Sequence, residues 1–151
     1  MLSTHEVTLF LTANHSRGNN PQTDREITDA IRKRRLRVLI IDDTAKFRAS
    51  MTRLLARVFK AAVSAVDSGN AGIDLVKSGK IFDVIFLDLK MPGIGGLATH
   101  DALREADVAC RIVVMSAHRD SVEWKEAEES NVELVDKPIP DETLVSILSE
   151  L

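Results

Sequence analysis

A chain of 151 residues, 44% of them hydrophobic and 28% charged, has the length and composition of one globular domain with its own core and a short appendage. Its net charge of -3 supplies no overall basic field for nucleic acid, and no apolar run reaches the roughly 18 to 20 residues that a membrane helix needs. The lone Cys110 has no partner for an internal disulfide, which points to a reducing, cytoplasmic compartment.

Residues 1–35 differ from the rest. Val7 to Leu11 is a short mixed run after His5 and Glu6, without the basic start of a signal peptide. Asn14 to Gln22 is polar, contains Gly and Pro, and has no apolar period. Thr23 and Glu26 then form a capping box, and Ile27, Ala30 and Ile31 share a helical face, so a short helix to about Arg35 is expected. This stretch reads as a partly disordered extension, with the domain proper over 36–151. Arg32 to Arg35 and Arg37 form a basic cluster. It suits a solvated helix end; contact with nucleic acid or an acidic partner is the alternative, weakened by the absence of interleaved aromatics.

From there strand and helix alternate. Val38 to Ile41 is an apolar β-branched run ending at Asp42-Asp43, and Phe47, Met51, Leu54, Leu55 and Val58 follow as a helical stripe. Val63 to Val66 is a weaker strand, followed by Asp67-Ser68-Gly69 and a helix with Ala71, Leu75 and Val76. Val84 to Leu87 is an unbroken apolar run of the kind buried on both faces of a parallel sheet. Asp88 closes it, and Met91-Pro92-Gly93 and Gly95-Gly96 mark a tight loop. A helix is expected over about Leu97 to Glu105. Cys110 sits beside the next apolar run, Ile112 to Met115, as a small core residue; that run stops at Ser116-Ala117. A polar helix over about Asp120 to Glu129 carries Trp124, the only Trp, as either an exposed partner anchor or half-buried packing. Val132 to Val135 is the last strand, before Lys137-Pro138, and the last helix starts from Asp141 as N-cap with Leu144, Val145 and Leu148 inward.

Five strands alternating with five helices through short links imply a doubly wound parallel sheet, because each crossover is a right-handed βαβ unit. Asp42-Asp43, Asp88, Ser116 and Lys137 then meet at one sheet edge, where ligands of open α/β sheets bind. Alone, each is explained as a cap, a turn residue or a surface lysine; their coincidence is the signal. Three adjacent carboxylates repel, and Mg²⁺ with its oxygen ligands relieves that repulsion while bringing a phosphate oxygen. Asp88 is the central candidate nucleophile, with Ser116 and Lys137 to hold phosphoryl oxygens.

The segments VLIIDD, FLDLKMPGIGG, VMSA and DKP make the chain from about Arg37 to Leu151 resemble the receiver domains of two-component response regulators. The resemblance implies a flavodoxin-like (β/α)5 fold with strand order 2-1-3-4-5. It implies that Asp88 accepts phosphate from a sensor histidine kinase or phosphotransfer protein. By the same resemblance Asp43 and Asp88 bind Mg²⁺ directly, the Lys90 carbonyl is a third ligand, and Asp42 acts mainly through water. Ser116 and Lys137 contact the phosphoryl group, the Lys137-Pro138 bond is cis, and Lys90 and His118 tune the lifetime of the phosphorylated state. The family usually has an aromatic switch residue three positions before the lysine, where this chain has Leu134; the Ala117 to Asp120 loop is then left to carry most of the change.

Output would pass through the last two helices and strand to a partner, which includes a second copy of the chain among the candidates. No output domain follows the fifth helix here, as in a stand-alone receiver or a piece of a longer regulator. Two other classes compete. One is a receiver-like scaffold that takes no phosphate; the other is an aspartyl-phosphate phosphatase, which would place a second acid where Lys90 stands.

Overall fold

The computed structural model describes residues 35–106 and 108–151. The expected leader helix and the polar patch before it lie outside the described residues. Two compact units divide the chain: Leu36–Pro138, which holds the whole sheet, and a second that includes Ile139–Leu151.

In the first unit, β1 (Arg37–Ile41), α1 (Ala45–Val58), β2 (Ala62–Val66), α2 (Gly69–Lys77), β3 (Val84–Asp88), α3 (Gly95–Glu105), β4 (Arg111–Ser116), α4 (Val122–Glu129) and β5 (Leu134–Asp136) alternate without exception. All strand pairs are parallel, in the order β2-β1-β3-β4-β5. This is the doubly wound sheet that the alternation predicts, in the flavodoxin-like order that the resemblance implies. The continuous apolar runs explain the central strands, because every residue of β3 is buried and β1 is buried from Val38 onward. Leu39, Ile85 and Ile112 line up across the sheet, as do Ile41, Leu87 and Val114. They form one core with Ile73, Leu103, Trp124 and Ala127. Cys110 is buried in the same cluster, as a small core residue.

Several boundaries differ from the sequence expectation, each for a local reason. The last strand begins at Leu134 rather than Val132, because the Val132 N–H bonds back to the Ala127 carbonyl of α4 at 3.2 Å. The fourth helix begins at Val122 rather than Asp120, since the Ser121 hydroxyl caps it by accepting the Trp124 N–H at 3.1 Å. In α1 only Met51 and Leu55 of the expected stripe are buried; Leu54 and Val58 are each 37% exposed. Trp124 is not an exposed anchor but a core residue, 6% exposed, whose Nε1 donates to Glu128 at 2.8 Å. The indole thereby satisfies its polar edge inside a charged helix.

The second unit contributes α5 (Asp141–Ser149), which buries Leu144, Val145, Ile147 and Leu148. Its N-cap is Pro140 rather than Asp141, with Asp141 and Glu142 in the first turn, where their charges complement the helix dipole. No described helix is long and apolar enough to cross a membrane.

Candidate functional site

The parallel register decides which side chains meet. Ile41 pairs with both Val66 and Leu87, Asp88 with Met115, and Ser116 with Asp136. The residues that end β1, β3, β4 and β5 therefore reach the same rim. Asp42, Asp43 and Asp88 bring carboxylate oxygens within 4.8 Å of one another.

Their environments differ. Asp42 is fully buried; its Oδ1 accepts the Thr44 N–H at 2.8 Å and its Oδ2 accepts from Lys137 Nζ. Its main-chain carbonyl accepts from Arg48 at 2.7 Å. Each carboxylate oxygen of Asp42 thus already has one partner within the protein. Asp43 is exposed and faces the cleft. Asp88 is 5% exposed, and its Oδ1 accepts from Lys137 Nζ at 2.8 Å. Burial pushes the Asp88 carboxyl above the ordinary carboxylate range; Lys137 pulls it down, and Asp42 and Asp43 push it further up.

Lys137 bridges two buried acids, and its ammonium also lies 4.5 Å from the centroid of the Phe47 ring. A cation held by two carboxylates and an aromatic face has little freedom to move. The Lys137-Pro138 bond is cis, and the Lys137 N–H donates to the Ser116 carbonyl at 2.8 Å. Ser116 is buried, but its hydroxyl is turned to its own loop, accepting the His118 N–H at 3.0 Å. The cleft above the acids, about 520 Å³, is bordered by Asp43, Asp88, Lys90, Pro92, His118 and Lys137.

The loop after Asp88 is fixed by Gly96, whose N–H donates to the Leu89 carbonyl at 3.0 Å. A Cβ there would stand 2.5 Å from the Asp88 carbonyl oxygen and 2.6 Å from Leu89 Cα. Only glycine lets the start of α3 approach the backbone of the central acid so closely.

The donor set fits a small hard cation. Asp43 and Asp88 each have carboxylate oxygens not committed to Lys137, and Lys90 borders the same cleft. Oxygen ligands of this number and charge match Mg²⁺ with part of its water shell.

Residues 38–149 match the response regulator receiver domain family. The chain belongs to that family. This receiver is 39% identical over 88 residues to the nitrate/nitrite response regulator protein NarL of Escherichia coli, an overlap of 56% of this chain and 40% of that protein. It is 29% identical over 119 residues to two-component response regulator 24 of Arabidopsis thaliana, covering 78% of this chain and 84% of the relative. Among solved structures it resembles chemotaxis protein CheY4 of Vibrio cholerae, with a TM-score of 0.67 and 22% identity over 78% of this chain and 98% of that one. The receiver domain of Francisella response regulator 1452 gives 0.62 and 26%, over 76% and 97%. The receiver spans about 40% of the length of the NarL relatives. The family places it in two-component signalling as a signalling domain, one that generally uses Mg²⁺ at an acidic pocket.

Of the residues singled out from sequence, Asp42, Asp43, Asp88 and Lys137 are in one cluster, Lys90 and His118 border its cleft, and Ser116 lies at its edge facing away. Two contributors were not singled out. Phe47 reads as one member of a helical stripe, and Thr44 has no reading from sequence; their spacing after Asp43 is the signal that places them under Lys137 and on Asp42.

Proposed function

We propose that this receiver accepts a phosphoryl group on Asp88 from a phosphohistidine of a sensor histidine kinase or phosphotransfer protein. An Asp88 carboxylate oxygen attacks phosphorus, the O–P bond forms as the P–N bond breaks, and the imidazole leaves with the electron pair. The observation that carries this reading is the Lys137 ammonium on Asp88 Oδ1 at 2.8 Å, inside a cluster of three carboxylates. Lys137 favours the ionised form of Asp88 against its burial and stands ready to neutralise the incoming phosphoryl oxygens. Asp43, Asp88 and the Lys90 carbonyl would hold Mg²⁺, and Asp42 would orient its water. Mg²⁺, when bound, supplies the positive charge that phosphoryl oxygens need beside carboxylates.

Ser116 would leave the His118 backbone and donate its hydroxyl proton to a phosphoryl oxygen, altering the loop that follows and the surface of α4 and β5. The receiver would act in the cytoplasm, and its output would be either a separate partner or further domains of a longer regulator. Lys90 and His118 border the path of the water that attacks the acyl phosphate, so replacing both with Ala is expected to change the rate of dephosphorylation.

Intact mass after incubation with acetyl phosphate tests the reading. A Mg²⁺-dependent gain of one phosphoryl group in the wild type, absent in Asp88→Asn, is the expected result. No gain in either protein favours a scaffold that takes no phosphate, and release of phosphate over many turnovers favours a phosphatase.

A further inference from the structure

The loop between β4 and α4 is fastened by groups outside the acid cleft. Arg119 grips the Asp136 carboxylate with both arms, Nε on Oδ1 and Nη2 on Oδ2. Its guanidinium also lies over the Trp124 ring, 5.5 Å from the centroid. Asp136 pairs in register with Ser116 and immediately precedes Lys137. One exposed side chain therefore joins the loop, the end of β5 and the indole of α4.

Ser116 gives this clasp its significance. Its hydroxyl is held by the loop at His118, one residue before Arg119. A hydroxyl that turns toward Asp88 gives up that loop contact, and the loop loses its anchor at the same place where Arg119 begins. Leu134 offers no aromatic ring or hydroxyl to register such a movement; it packs half-buried against the core. Trp124 belongs to the same core and is covered by Arg119.

We propose that Arg119 is a positioning residue, a latch that holds the β4–α4 loop on Asp136 and Trp124 in the unphosphorylated receiver and is released when Ser116 engages the phosphoryl group. Release uncovers one face of the indole and frees the Asp136 carboxylate, so α4 and β5 present a new aromatic and acidic surface to a partner. The inference rests on the phosphoryl-transfer reading for its trigger, but the latch itself stands on contacts of the unphosphorylated chain.

Because Trp124 is the only Trp, its fluorescence reports the latch directly in the full chain. Wild type, Arg119→Ala, Arg119→Lys and Asp136→Asn are compared with and without acetyl phosphate and Mg²⁺, with emission and acrylamide quenching read beside intact mass. In the wild type, phosphorylation is expected to shift emission to the red and raise the quenching constant. Arg119→Ala and Asp136→Asn should show raised quenching already without phosphate, with little further change on phosphorylation and an undiminished gain in mass. Arg119→Lys, which keeps the charge but loses the two-armed grip, should fall between.

A wild type that gains the phosphoryl mass without any change in quenching overturns the release. Equal quenching in unphosphorylated wild type and Arg119→Ala overturns the latch. Should no protein gain mass, the phosphoryl-transfer reading fails and the proposed trigger with it, while the comparison of the unphosphorylated proteins still decides the latch.

Discussion

Lys137 is the residue on which the acid cluster depends, since it is paired with two acids that are 0% and 5% exposed. Removing one partner from buried ion pairs leaves charge without compensation and typically costs about 3 to 5 kcal/mol. Lys137→Ala is therefore expected to lower the unfolding free energy read from urea melts by an amount at the low end of that range, because exposed Asp43 leaves one side open to water. Asp88→Asn in the same background should recover part of the loss, since it removes one of the charges left unpaired. The same gain from Asp88→Asn in both backgrounds would show that solvent, not Lys137, balances Asp88. In the wild-type background and without Mg²⁺, Asp88→Asn should raise the melting temperature, as it removes a buried charge that Asp42 and Asp43 repel. The acids and the lysine were legible in the sequence because each ends an apolar run. The commitment of both Asp42 oxygens was not, since Thr44 and Lys137 reach them only through the folded backbone.

At the scale of elements, close approach and capping explain what the apolar period leaves open. Gly96→Ala would push a methyl into the Asp88 carbonyl and Leu89 Cα, both backbone atoms that cannot swing aside. A loss of roughly 1 to 3 kcal/mol is expected from such overpacking, read as a lower melting temperature, together with slower phosphorylation because the loop beside Asp88 must shift. Gly96 was visible as a loop glycine, but its contact distance was not. The ends of β5 and α4 were misplaced for the same kind of reason: Val132 looks like a strand residue until its N–H is found on Ala127, and Asp120 looks helical until Ser121 supplies the cap. The β4–α4 loop has a pH signature of its own. Arg119 holds the Asp136 carboxyl below the ordinary carboxylate range, so this pair contributes stability above the unfolded carboxylate pKa and loses it as pH falls through the lowered folded value. NMR titration should find Asp136 depressed in the wild type and returned toward the ordinary value in Arg119→Ala. An unchanged Asp136 would mean that the two side chains do not pair in solution.

For the molecule as a whole, parallel register is the link between fold and chemistry. Strands that run the same way deliver all their carboxyl ends to one edge, so acids placed after separate apolar runs, tens of residues apart, become neighbours within 4.8 Å. That architecture stores a like-charge repulsion in the native state that the unfolded chain does not have, because unfolding disperses Asp42 and Asp43 from Asp88. A cation that binds the cluster consequently binds the folded chain and not the unfolded one, and it stabilises folding by mass action, about 1.4 kcal/mol at a ten-fold excess over Kd. Adding Mg²⁺ to EDTA-treated protein should raise the melting temperature in proportion to the logarithm of its concentration once the site is saturated. Asp43→Asn should weaken the dependence strongly, because Asp43 is the exposed acid with oxygens open to the cleft. Lowering the pH should weaken it as well, since the Asp88 carboxyl is raised above the ordinary range and protonates where an ordinary carboxylate would still be charged. A melting temperature that follows ionic strength alone, with NaCl as effective as MgCl₂ at matched ionic strength, would reduce the effect to screening and remove the cluster as a cation site.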